Sequence, residues 1–278
     1  MRAISFISLF AGLLSSGVSL AQRPPIPAGM VVGVETCRDC HEEMVMEWEQ
    51  SSHATSLEKM TSSDVTAKIA GKLGLELSEI PMTASCIRCH FTQENLTGTA
   101  QTTTAVSCES CHGGALDWIE EHNQKAISRE ARIENSKAHG MAHPASVLDV
   151  SRSCFECHVI DDEQLVNHAG HPALTEGFEL LSWYSGEVKH NFLVSKGDSS
   201  VKDHSEEPQS VPQNRKRMYF LSGKLLHLGY LMQSLATARD APVDKTGKFI
   251  RLENGNFTYA VQLARGIKRI QRDMEDVL

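Results

Sequence analysis

The sequence predicts a mainly α-helical chain whose core is built in large part by a cofactor. Three observations carry this expectation: four copies of C-x-x-C-H, little strand signal between them, and two C-terminal stretches with apolar residues at three- and four-residue steps. The copies are Cys37-Arg-Asp-Cys40-His41, Cys86-Ile-Arg-Cys89-His90, Cys108-Glu-Ser-Cys111-His112 and Cys154-Phe-Glu-Cys157-His158, and they use all eight cysteines. C-x-x-C-H is the attachment signature of c-type haem. Two thiols one helical turn apart can each form a thioether to a porphyrin vinyl group, and the next residue then brings its imidazole to the iron. Four covalently bound haem c groups are therefore expected, with His41, His90, His112 and His158 as proximal ligands. Disulfides or Cys-rich zinc sites are the competing explanations. Neither accounts for a histidine after the second cysteine in every copy.

Each segment follows in order. Arg2, the apolar run Ile4 to Leu14 and the small residues of Ser19-Leu20-Ala21 have the layout of a secretory signal peptide, cut before Gln22. Residues 1–21 are thus expected to be a leader, and the mature protein is expected in the periplasm. The leader's apolar run is shorter than the roughly 20 residues that a membrane span needs, and no later stretch is apolar enough. The chain carries 27 Lys+Arg against 35 Asp+Glu, for a net charge of -8. That acidic balance argues against nucleic-acid binding, which needs clustered cations.

Residues 22–194 form the expected tetrahaem region. From His41 to Met60 helix formers dominate, with Met44 and Trp48 an i,i+4 apolar pair. Ala70 to Glu79 reads as a helix ended by Pro81. The Thr- and Gly-containing stretch between His90 and Cys108 reads as a loop or short hairpin. Residues 195–213 look like an exposed linker. Residues 214–278 then read as a helical hairpin, with Leu221, Leu225, Leu228, Met232 and Leu235 on its first helix. Ala260, Leu263, Ile267, Ile270, Met274 and Val277 mark the second. Its simplest role is to pack back on the haem region; an interface between copies is the alternative.

Nine of the 13 histidines remain as candidate second ligands. If the chain is helical after His41, His53 lies about 18 Å along it, and His122 lies about 15 Å beyond His112. Each is too far to share an iron with its own preceding motif. His190 follows His158 across a turn-forming segment, so the chain can fold back there.

The residues around the first and third motifs resemble a family: the tetrahaem c-type cytochromes of ammonia-oxidising bacteria that accept electrons from hydroxylamine oxidoreductase. Trp48 and Ser52-His53-Ala54 follow the first motif, and Val106-Ser107-Cys108-Glu109-Ser110-Cys111-His112-Gly113 has His122 ten residues beyond its histidine. The resemblance covers about residues 30 to 195. It implies His41 with His122 on the first haem, His112 with His53 on the third, and His158 with His190 on the fourth. It also implies a second haem, on His90, with no far-side protein ligand. The chain departs from the family in its C-terminal hairpin and in spare histidines at His139, His143, His168 and His171. Pro follows His143 and His171, so each is a candidate for the second haem.

Function follows from the ligand count. Bis-His haems leave no site for substrate, so the leading expectation is an electron carrier between redox partners. The resemblance implies a hydroxylamine oxidoreductase-like donor and a quinone-side cytochrome as acceptor. The alternative is a haem enzyme that reduces a small nitrogen oxide at an open second haem. A structural subunit that assembles through its C-terminal helices is the third class.

Overall fold

The computed structural model describes Leu20 and residues 24–182, 213–252 and 255–276. The rest of the expected leader, the linker up to residue 212, and His190 lie outside the described residues. Helices dominate: α1 Val34–Glu49, α2 Ser56–Ser62, α3 Asp64–Leu73, α4 Ala84–His90, α5 Cys108–His112, α6 Arg129–Ala138, α7 Val147–His158, α8 Glu163–Asn167, α9 Gln213–Thr237 and α10 Tyr259–Glu275. Among the described residues one sheet forms, a hairpin of β1 Thr92–Leu96 with β2 Thr99–Thr104, paired antiparallel. Thr97 and Gly98 both take positive φ at its tip, as a tight hairpin turn requires.

Two expected helices are divided. The helix foreseen across Ala70 to Glu79 stops at Leu73, because Gly74 adopts the left-handed conformation (φ 73°) and the Leu75 N–H returns to the Ala70 carbonyl. A 3-10 turn over Leu77–Met82 follows. The stretch from His41 to Met60 is likewise broken between α1 and α2, where the Ser51 hydroxyl accepts the Ala54 N–H. A serine side chain that satisfies a nearby N–H offers the backbone an alternative to helix.

The largest apolar core lies at the C-terminal end. Phe155 and Val159 from α7 and its exit meet Val166, Leu180, Tyr219, Tyr230, Leu231, Tyr259, Leu263 and Ile270. Helices α9 and α10 pack on each other, and α9 packs on α7. Approach is closest at Gly266, where a Cβ would stand 2.9 Å from the Leu231 side chain. The hairpin therefore packs against the fourth motif. The turn-rich stretch before α10 is held by bridges Val243↔Phe249 and Arg251↔Phe257. A second cluster, Ala70, Ile80, Ile87 and Phe91, is much smaller and surrounds the second motif.

Candidate haem-binding site

All four motifs lie on helices, and each helix ends or bends at the motif histidine. α4, α5 and α7 end at His90, His112 and His158, followed by Phe91 and Val159 in extended conformation and by Gly113 at φ 86°. In α1 the break falls on His41 itself (φ -122°, ψ 39°). A helix holds the two thiols one turn apart, and the break after them turns the imidazole away from the helix's own surface.

None of the eight cysteines is in a disulfide. The motifs instead meet in two pairs. The side chains of Cys37 and Cys108 lie close enough to influence each other, which places the first motif beside the third. Cys89 and Cys157 are neighbours in the same way, and the Cys157 thiol donates to the Arg88 carbonyl, so the second motif lies beside the fourth. The first pair is also tied by a buried carboxylate. Glu109, inside the third motif, accepts the N–H groups of Val32, Gly33 and Ala115 at 3.1, 3.1 and 2.8 Å. Trp48 adds a bond from its indole N–H to the Val106 carbonyl, 2.8 Å. Ser56 links the second motif to the third: its hydroxyl donates to the His90 carbonyl and accepts the Val106 N–H.

The histidines form opposed pairs. The ring centres of His41 and His122, of His53 and His158, and of His90 and His171 are each 6.2 Å apart. A metal–imidazole bond is about 2 Å long, so two imidazoles on opposite sides of one iron have ring centres on the order of 6 Å apart. No direct hydrogen bond spans that distance. A haem iron between each pair fits it.

The second-ring nitrogens support the same use. Nδ1 of His122 donates to the Ile119 carbonyl, Nδ1 of His171 to the Pro172 carbonyl, and Nδ1 of His112 to the Ala142 carbonyl. A proton held on Nδ1 leaves the Nε2 lone pair for a metal. Burial, with His171 and His53 nearby, pushes His90 down to about 4, and burial pushes His158 to about 3. Burial also lowers His41, His112 and His171. These rings are neutral at pH 7, as ligands must be. A cleft lined by Ile87, Arg88, Ser110, Glu156 and Cys157 runs among the second, third and fourth motifs. The residues present therefore fit covalently bound haem.

Placement of the expected distal ligands is mixed. His122 stands opposite His41, the partner that the resemblance implied. His53 stands opposite His158 and not opposite His112. The reason is the break after Glu49, which carries α2 away from α1 and toward the second and fourth motifs. His171 stands opposite His90, where the resemblance implied no protein ligand. His143 is not paired in this way: its Nδ1 accepts the Ala145 N–H, which places the ring proton on Nε2 and so denies that nitrogen to a metal. His168 uses Nε2 on the Lys72 carbonyl. His139 is exposed. His112 has no imidazole at 6.2 Å among the described residues. Sequence reasoning gave no structural role to Glu109, Ser56 or Thr175, whose hydroxyl meets His158 Nδ1 at 2.7 Å. No local pattern marks such residues, because their partners are distant in the chain.

Comparison with known proteins points to the same cofactor. The model of the family described as cytochrome c554 and c-prime matches residues 36–113, which include the first three motifs. That part of the chain is thus similar to the cytochrome c554 family. Cytochrome c-554 of Nitrosomonas europaea is 24% identical over 166 residues, covering 57% of this chain and 68% of that protein. No solved structure matches. The family implies covalent haem c and electron transfer. No described helix is long and apolar enough to cross a membrane.

Proposed function

We propose that this chain is a periplasmic tetrahaem electron carrier of the cytochrome c554 family, with four haem c groups held by the four motifs. Haem c, when bound, supplies one-electron exchange between ferric and ferrous iron. The observation that carries the reading is the set of three imidazole pairs at 6.2 Å. Paired imidazoles close both faces of an iron to substrate, and the adjacency of the motifs brings neighbouring groups together. His122, His53 and His171 serve as distal ligands to the groups on His41, His158 and His90. His190, outside the described residues, is not needed opposite His158, where His53 already stands. A hydroxylamine oxidoreductase-like donor and a quinone-side cytochrome are the partners that the family suggests.

One observation favours a second, lesser role. Among the described residues His112 is the motif histidine without an opposed ring, so a small nitrogen oxide would bind at the third haem and not at the second.

Intact mass and a denatured-haem spectrum should agree on four thioether-linked groups, and release of haem into acid-acetone would overturn the proposal. In the oxidised protein, electron paramagnetic resonance should show at least three low-spin irons. His53→Ala should turn the His158 haem high-spin and leave the other low-spin signals in place. A wholly low-spin wild-type spectrum, with no nitric oxide adduct on reduction, would remove the second role and leave the carrier.

A further inference from the structure

We infer that the haem on His158 is the high-potential end of the chain, where electrons collect, and that the Thr175 hydroxyl sets its potential. The inference rests on the carrier reading and goes beyond it by naming that end and the residue that tunes it.

Four of the proposed ligand rings, His112, His122, His158 and His171, differ in what their Nδ1 protons meet. His112, His122 and His171 donate to backbone carbonyls of Ala142, Ile119 and Pro172. His158 differs. Its Nδ1 is 2.7 Å from the Thr175 hydroxyl oxygen, and with Nε2 on iron the ring must be the donor. An amide carbonyl carries more negative charge than an alcohol oxygen, so it draws the proton harder and leaves the ring a stronger electron donor. A stronger donor stabilises ferric iron and lowers the potential; such outer partners tune ligand basicity. A hydroxyl therefore leaves His158 the weaker donor, and its haem the more readily reduced.

The surroundings act in the same direction. Phe178 lies face to face with the His158 ring, with centres 4.3 Å apart and planes within 7°. Phe155 is 1% exposed and Val159 fully buried, within the largest apolar core. A low-dielectric wall disfavours the extra charge of ferric iron. Glu156 of this motif is buried, as is Glu109 of the third, and a charged carboxylate there would act the other way, favouring ferric iron. Thr175 is also fixed in place, since its N–H donates to the His158 carbonyl. That bond fixes the Thr175 backbone beside the ring.

The test is a spectropotentiometric titration of the fully haem-loaded protein, read optically and by electron paramagnetic resonance. Wild type should show several one-electron steps. Thr175→Ser should keep the highest step where it is. Thr175→Val removes the acceptor and should move the highest step up, while Thr175→Asp supplies a carboxylate and should move it down. The other steps should stay in place in all three variants. If a lower step moves, or if none does, the inference is overturned while the carrier reading stands. A wild-type protein with no reversible steps would instead sink the carrier reading itself.

Discussion

The two ends of this molecule are stabilised by different means. Around the first three motifs the side-chain core is thin: its main apolar cluster is Ala70, Ile80, Ile87 and Phe91. Polar ties do much of the positioning there, through Glu109, Trp48, Ser56 and the Thr92 hydroxyl, which meets Ser107, Ser110 and the Ala105 carbonyl. At the fourth motif the opposite holds. Helices α7, α9 and α10 bury tyrosines, leucines and phenylalanines against one another. In the tetrahaem reading, the difference separates the end whose core the cofactor would supply from the end that already has one of its own.

Withholding haem tests this contrast most directly. In protein produced without haem attachment, amides of α1 to α6 should exchange at nearly unfolded rates, while those of α7, α9 and α10 remain the better protected. Equal protection at both ends would mean that the apolar cluster does not fold ahead of the cofactor. Hydrogen exchange read by mass spectrometry distinguishes the two outcomes.

The next effect belongs to the packed end. Leu231 is fully buried against Gly266, so Leu231→Ala should cost about 2–5 kcal/mol of stability. Denaturant unfolding followed by far-ultraviolet circular dichroism measures it. The low-spin spectra of the haems on His41 and His90 should not change.

A smaller effect is expected at the polar end. Glu109→Gln keeps the shape but replaces one of the accepting oxygens with an amide donor that faces backbone N–H groups. A cost of about 1–3 kcal/mol is expected from one unsatisfied buried donor. Haem content per chain, from mass spectrometry, should fall with it, because these bonds bring the first motif to the third.

The smallest effect is a pH dependence. His227 on α9 packs against Phe155 at 5.1 Å between ring centres, and its Nε2 is buried without a partner. Burial, with Lys224 and Arg269 nearby, pushes it down to about 4. A histidine whose folded value is depressed contributes stability above its unfolded value, near 6.5, and loses it as pH falls through about 4. Wild type should therefore lose melting temperature over that interval, and His227→Leu should lose less. Parallel curves for the two proteins would show that other groups carry the acid sensitivity.

Much of this architecture is legible in the amino-acid sequence alone. The motif cysteines and histidines are local: a few residues in sequence specify where a haem attaches, since thiol spacing and the adjacent imidazole lie close to one helical turn. The two C-terminal helices are legible too, but not the packed face of the first: Leu221, Leu225 and Met232 are exposed, and Tyr219, Leu226, Tyr230 and Leu231 are buried instead. The division of the helix at Gly74 is harder to see, since strong helix formers flank a glycine whose left-handed conformation is set by a bond back to Ala70.

Second ligands are a different kind of problem. Helical rise alone excludes His53 from the iron of His41, and that exclusion is a local statement. Which iron His53 does face is not local. The helix break at residues 50–55 and the proximity of Cys89 to Cys157 bring His53 to His158, a pairing across 105 positions that no spacing rule specifies. The same holds for His171 opposite His90 and for Thr175 beneath His158. Adjacent residues set the number and place of the proposed haem attachments, because that covalent chemistry is written within each motif. The packing of the chain sets which rings face each other, because axial ligation depends on a separation of a few ångströms between segments far apart in sequence.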